Sequence, residues 1–174
     1  SAQKLQIAAG ARIDTSARNG TPGQWVIDPV DITIDDGMAN AITSALDNGD
    51  VTVSTEGDSS GVPNSSGTAV AAGDLSVNSS IAWSANKLTL KASGDLLINQ
   101  ILRGTGTASL HIHMTAVSGL NNVYINAPIY LPEGNSYTSQ DGSGPIGTYR
   151  VIHQLADLQA IHNAAIGEMD LLNL

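Results

Sequence analysis

Residues 73–81 read Gly-Asp-Leu-Ser-Val-Asn-Ser-Ser-Ile, and residues 94–102 read Gly-Asp-Leu-Leu-Ile-Asn-Gln-Ile-Leu. Residues 121–129 follow as Asn-Asn-Val-Tyr-Ile-Asn-Ala-Pro-Ile, so all three fit the pattern apolar-x-apolar-Asn-x-x-apolar. Gly49-Asp50-Val51-Thr52-Val53 opens in the same way. A second kind of apolar alternation lies between these segments, in residues 87–92 (KLTLKA) and 109–116 (SLHIHMTA). The first kind recurs from Leu75 to Leu96 to Val123, steps of 21 and 27, and the second from Leu88 to Leu110, a step of 22. Two different strands recurring in step at that period predict a solenoid, because no single turn of chain can bury its own apolar row.

Alternation places Leu75, Val77, Leu88, Leu90, Leu110, Ile112 and Met114 on one face of their strands, the inward one. Asn78, Asn99 and Asn126 fall where each strand must bend into the next, and asparagine tolerates left-handed backbone and bonds to neighbouring main chain. The expected fold is therefore all-β, a right-handed parallel β-helix of short coils over residues 1–148. Exposed loops are expected at 55–72 and 132–147, both rich in Gly, Ser and Pro. Residues 39–46 (ANAITSAL) predict a short helix ended by Asn48-Gly49. Residues 149–174 are expected to form a strand-helix element: Leu155, Leu158, Ile161, Ala165 and Met169 recur every third or fourth position, an amphipathic pattern suited to capping the stack.

Composition agrees with many short strands and tight turns. The chain has 174 residues, one domain's worth, with 41% hydrophobic and only 13% charged. Aromatics are 3% and phenylalanine is absent. The formal charge is −9, and no Lys or Arg lies between Asn19 and Asn86, a stretch holding Asp28, Asp31, Asp35, Asp36, Asp47, Asp50, Glu56, Asp58 and Asp74. Nucleic acid and anionic membrane need a basic footprint, so neither is an expected partner. With no cysteine there is no disulfide, no CxxC zinc site and no thiol nucleophile. No run of 18 apolar residues exists, so no transmembrane helix is expected.

Residues 23–34 (GQWVIDPVDITI) resemble a "GTWLIDPxDxTI" segment of filamentous-haemagglutinin-like large exoproteins. The likeness runs on through 41–46 (AITSAL), 49–53 (GDVTV) and 73–77 (GDLSV). Upstream, Ala11-Arg12-Ile13-Asp14-Thr15-Ser16 is similar to the family's "xIDxSG" turn; downstream, Tyr149-Arg150-Val151-Ile152 with 155–160 (LADLQA) is similar to its "YxVI…LxDLQAI" element. The resemblance implies a right-handed parallel β-helix from a two-partner-secreted adhesin, secreted or held at the bacterial cell surface and exported through an outer-membrane partner. Such passengers serve adhesion, haemagglutination, biofilm formation or toxin display, with host-cell or matrix glycans and proteins as partners. The start, Ser1-Ala2-Gln3-Lys4, lacks a signal peptide's apolar stretch, and the family's secretion domain is not seen, so an interior passenger segment is expected.

Binding residues are expected on the interrupting loop, with Asp58, Ser59, Asn64 and Ser65 as candidates. Asp31, Asp35 and Asp36 are the calcium candidates, although their spacing matches neither an EF-hand nor a glycine-rich nonapeptide. Trp25 beside Asp28-Pro29 admits sugar stacking or, the stronger reading, a side chain that covers a coil above a turn. His111 and His113 project from one strand face, opposite Leu110 and Ile112, and are read as a solvent-facing pair with no third metal ligand in view. The expected function is a non-catalytic adhesin stalk with surface contacts, needing no cofactor. The alternatives are a carbohydrate-active β-helix enzyme, lyase or hydrolase, and a pure spacer for an adhesive tip or toxin. An enzyme would need a paired acid and base with a cationic partner, and the acidic stretch holds no Lys or Arg.

Overall fold

The computed structural model describes residues 25–27, 31–55, 73–115, 121–154 and 156. Thirteen short strands and one helix make up the described chain. In order they are β1 (Trp25–Ile27), β2 (Ile32–Ile34), α1 (Asp36–Leu46), β3 (Val51–Ser54), β4 (Leu75–Val77), β5 (Ile81–Trp83) and β6 (Lys87–Ala92). Then come β7 (Leu96–Ile98), β8 (Leu102–Gly104), β9 (Ser109–Met114), β10 (Val123–Ile125), β11 (Ile129–Tyr130), β12 (Gly134–Asp141) and β13 (Gly147–Val151). The class is all-β with little helix, as the alternation predicts.

The strands assort into three sheets, ordered β1-β3-β6-β9-β12-β13, β10-β7-β4-β2 and β11-β8-β5. Every pairing is parallel except β12 with β13. From β4 onward the chain visits the second, third and first sheets in turn, three times over. Register is kept at each visit: Leu75 pairs Leu96, which pairs Val123; Leu88 pairs Leu110; Ile81 pairs Leu102. The longer step of 27 residues thus reaches the same register as the step of 21.

Period-2 alternation has its physical consequence in burial. Leu75, Val77, Leu88, Leu90, Leu96, Ile98 and Leu102 are fully buried, and all three sheets contribute to one continuous core. Each such side chain contributes about 1.5–3 kcal/mol of burial. Trp83 is accommodated by what stands opposite it: its register partner is Gly104, where a Cβ would come within 3.3 Å of the indole.

α1 begins earlier than the predicted 39–46. Asp35 is its N-cap, accepting a hydrogen bond from Met38 N at 3.0 Å, so the helix starts at Asp36. Met38, Ala39, Ile42, Ala45 and Leu46 form its buried face, which packs against β5 at the end of the third sheet. At its other end Asn86 Nδ2 donates to Leu46 O at 2.6 Å. Asn86 holds φ +64, a conformation asparagine adopts more readily than most residues.

Two ladders of side chains tie the corners. Asn99 Nδ2 donates to Asn78 Oδ1 at 2.8 Å, and Asn126 Nδ2 donates to Asn99 Oδ1 at 2.7 Å. The same residues' backbone N–H groups donate to Ile34 O, Val77 O and Ile98 O. At the opposite ends of the second-sheet strands, Asp31 Oδ1 accepts from Asp74 N at 3.0 Å, Asp74 Oδ1 from Asp95 N at 2.8 Å, and Asp95 Oδ1 from Asn122 N at 2.8 Å. The repeated Gly-Asp therefore has a mechanical meaning: each carboxylate satisfies the first amide of the row stacked on it, a charge-assisted bond.

The segment 132–147, expected as a loop, is corrected by the structure. It carries β12, which runs parallel to β9 and antiparallel to β13, with a register irregularity between Gly134 and Tyr137. Glycines and prolines at its ends signal a turn, but residues 137–141 lie beside the free edge of β9 and pair with it, and such context outweighs local propensity. The turn itself contains Gly142 at φ +52. Of the loop expected at 55–72, Thr55 is buried and donates from Oγ1 to Gly73 O at 2.8 Å; residues 56–72 lie outside the described residues. The predicted helix from Leu155 likewise falls on residues that, Ala156 apart, lie outside them.

Candidate functional site

Each of the calcium candidates has a protein partner. Asp31 accepts from Asp74 N, Asp35 caps α1, and Asp36 Oδ1 accepts from Ser79 Oγ at 2.6 Å. Asp31 lies just before β2 and Asp35 and Asp36 follow its end, and among the described residues no group of three or more His, Asp or Glu side chains gathers around a common point. The loop candidates Asp58, Ser59, Asn64 and Ser65 lie outside the described residues. Trp25 is half-buried and packs against the core, the covering role rather than an open stacking platform; Asp28 and Pro29 lie outside the described residues.

A surface that sequence reasoning did not single out lies at the far end of the sheets. Among the described residues, the six exposed large hydrophobics all fall between 123 and 149: Val123, Tyr124, Ile125, Tyr130, Ile146 and Tyr149. Val123 and Ile125 stand in register with Leu96 and Ile98, which are 0% exposed, yet are themselves 39% and 57% exposed. Among the described residues, no strand lies beyond β10 in the second sheet or β11 in the third. Tyr124 and Tyr130 point the other way, outward from neighbouring sheets, on either side of Asn126 at the end of the asparagine ladder. Arg103 lies over the Tyr130 ring, its Cζ 4.4 Å from the centroid, a contact of about 0.5–1 kcal/mol at an exposed site. The signal was present in the sequence, since all four tyrosines follow residue 123.

The two histidines of β9 occupy the outer face of the first sheet. Both are half-buried rather than open to solvent as expected, because β12 lies alongside. His111 Nδ1 is 2.8 Å from Thr138 Oγ1, His113 Nε2 is 2.9 Å from Gly142 O, and the ring centroids are 5.9 Å apart. Burial, the neighbouring His113 and the charge of Lys87 hold the His111 pKa below its ordinary 6.5, against the opposing contact with Thr138. Burial and the adjacent Tyr149 raise the Tyr137 phenol above 10.0, against a bond involving Ser139.

The histidine shift makes a stability prediction. The unfolded chain binds the His111 proton more tightly than the folded one, so His111's contribution is complete above pH 6.5 and is lost as pH falls below it. Thermal melts at about pH 7.5 and about pH 5.5 should show a larger loss for wild type than for His111→Asn. Equal losses would assign the pH dependence to other groups.

No family model matches the chain, and comparison with curated proteins and with solved structures likewise gives no match.

Proposed function

We propose that this chain is a right-handed parallel β-helical segment of a large secreted or cell-surface adhesin of the filamentous-haemagglutinin-like kind. It acts as a rigid, non-catalytic stalk with contact surfaces for cells, glycans or matrix, and its full-length parent leaves the cell through an outer-membrane partner. The observation that carries this reading is the cyclic return of the chain to three parallel sheets in constant register, with corners tied from row to row by asparagine and aspartate ladders. Such rows add indefinitely at about 4.8 Å each, which makes length without new design. The exposed inward-register residues Val123 and Ile125 fit a stack to which a further row can be added. Asp31, Asp74 and Asp95 each accept a backbone amide from the row stacked on them, which favours a structural use of these carboxylates over an acid-base pair.

Few aromatic side chains make each contact weak, so useful adhesion comes from many copies. The test uses beads bearing wild-type chain, a version with 55–72 replaced by a short turn, and a Tyr124→Ser/Tyr130→Ser version. Wild-type beads should adhere to cells or glycan surfaces while the free chain binds weakly, and loss of 55–72 should abolish adhesion. Unchanged adhesion without the loop, but lost with the tyrosines, would move the contact to the 123–149 surface. No adhesion by any of the three would favour the spacer. Incubation with pectic, alginate-like and host glycans should yield no new reducing ends or unsaturated products; their appearance would replace this reading with the enzyme.

A further inference from the structure

We propose that His111 and His113 form a two-imidazole chelate for a late divalent transition-metal ion, with Cu²⁺ the tightest-bound. The inference is independent of the adhesin reading. Residues two apart on a strand share a face, and β9 carries these two outward while Leu110, Ile112 and Met114 go to the core. A metal-bound imidazole nitrogen lies about 2.0–2.1 Å from the ion, which puts the ring centroid about 3.2 Å away. Two rings on one ion then have centroids between about 4.5 Å, at a right angle, and about 6.4 Å, opposed. The observed 5.9 Å, with ring planes 55° apart, falls inside that window.

The second observation concerns the nitrogens facing away from the ion. A ligating histidine almost always donates its other N–H to a carbonyl, carboxylate or water, which sets the tautomer and the ring orientation. Gly142 O can only accept, so His113 Nε2 carries the proton and Nδ1 is left with the lone pair. The Thr138 hydroxyl can accept from His111 Nδ1–H, leaving the lone pair on Nε2. Each imidazole thus has one nitrogen held by β12 or the turn that follows it, and one nitrogen for a ligand.

The surroundings select the kind of ion. Thr89 and Lys91 on β6 stand in register with His111 and His113, and Thr138 and Gln140 do so on β12. No carboxylate joins this register, and Lys91 is cationic, so a hard cation such as Ca²⁺ or Mg²⁺ finds no oxygen cage there. Neutral imidazole is the ligand for Cu²⁺, Ni²⁺ and Zn²⁺, in the order that puts Cu²⁺ first. Two protein ligands leave the remaining positions to water or to a group from a partner surface.

The experiment titrates the full chain with CuCl₂ at about pH 7.5, following affinity by calorimetry and ligation by electron paramagnetic resonance. One Cu²⁺ per chain with two-imidazole nitrogen coupling is expected. Losing an outer-shell partner of a metal ligand costs 10–100-fold, so His111→Ala and His113→Ala should each weaken binding at least about tenfold. Thr138→Val should weaken it about tenfold with both rings in place. A His153→Ala/His162→Ala variant should bind as wild type. Unchanged affinity in a His111→Ala/His113→Ala variant, loss in the His153→Ala/His162→Ala variant, or a wild-type spectrum without two-imidazole coupling would each overturn the site. Paramagnetic broadening of ring protons in the wild-type chain reads the same question without any variant: His111 and His113 should broaden first, and His153 or His162 broadening first would refute it.

Discussion

Ile98→Lys should unfold the chain under conditions where Leu97→Lys leaves it folded. Ile98 is 0% exposed and stacks in register between Val77 and Ile125, while its sequence neighbour Leu97 is half-buried on the outward face. Losing the isoleucine removes about 1.5–3 kcal/mol of burial, and the ammonium brings a desolvation penalty of several more with no carboxylate inside the core to meet it. The expected loss exceeds about 4 kcal/mol, a large part of the 5–15 kcal/mol that stabilises an ordinary domain. Lysine at 97 keeps its head in water and should cost less than about 1 kcal/mol. Asn64→Lys, in the sequence-expected loop, should stay within about 0.5 kcal/mol. Urea midpoints for the three variants decide the matter. A one-residue slip of register would exchange the roles of 97 and 98, so equal midpoints, or the reverse order, would reject the inward row.

That inward row was legible in the sequence because it is a local property. Alternation over 75–77, 88–90 and 110–114 needs only neighbours two apart, and those residues are the buried ones. The recurrence of Gly-Asp and Asn was legible too, but not the bonds it makes. The Asn99 to Asn78 and Asp95 to Asp74 contacts join residues 21 apart, and only the pairing of whole strands brings them together. The strand β12 was hidden for a related reason: Gly134, Gly142, Gly144 and Gly147 advertise turns, while the unpaired edge of β9 that recruits residues 137–141 is invisible until the sheet exists. At the candidate surfaces the sequence showed which residues share a face, not what covers them. His111 and His113 were seen as an outward pair, yet their oxygen partners Thr138 and Gly142 lie on and just after the strand mistaken for a loop. The tyrosine surface is hidden in the composition, because aromatics are rare over the whole chain and only their position shows that all four tyrosines follow residue 123.

Gly94→Ala should be strongly destabilising although Gly94 has no unusual backbone conformation to protect. A Cβ at 94 would lie 2.3 Å from Asp74 Oδ1, 2.8 Å from Gly73 O and 2.9 Å from Gly73 C. The carboxylate could swing aside, but it would then release Asp95 N, which it accepts at 2.8 Å, and a bond to a charged group contributes about 1.5–3 kcal/mol. The backbone of Gly73 has less freedom still. It accepts from Gly94 N at 2.7 Å and from the buried Thr55 Oγ1 at 2.8 Å, and its own N–H donates to Ser93 Oγ at 2.9 Å. Ser93 returns to the same knot, donating from N and Oγ to Thr55 Oγ1 and Thr55 O, each at 3.0 Å. Relief of the clash therefore requires separating two stacked rows at a corner where several bonds are concentrated, and the expected loss is about 3 kcal/mol. Gly142→Ala supplies the contrast, since nothing lies within 4 Å of its Cβ position and only the φ of +52 opposes a side chain, about 1–2 kcal/mol. Asp74→Ala in the Gly94→Ala background separates the two obstacles in a double-mutant cycle. Removing the carboxylate should restore little, because Gly73 O remains in the way; full restoration would place the clash in the side chain alone, and a Gly94→Ala chain as stable as wild type would refute the close approach of the rows.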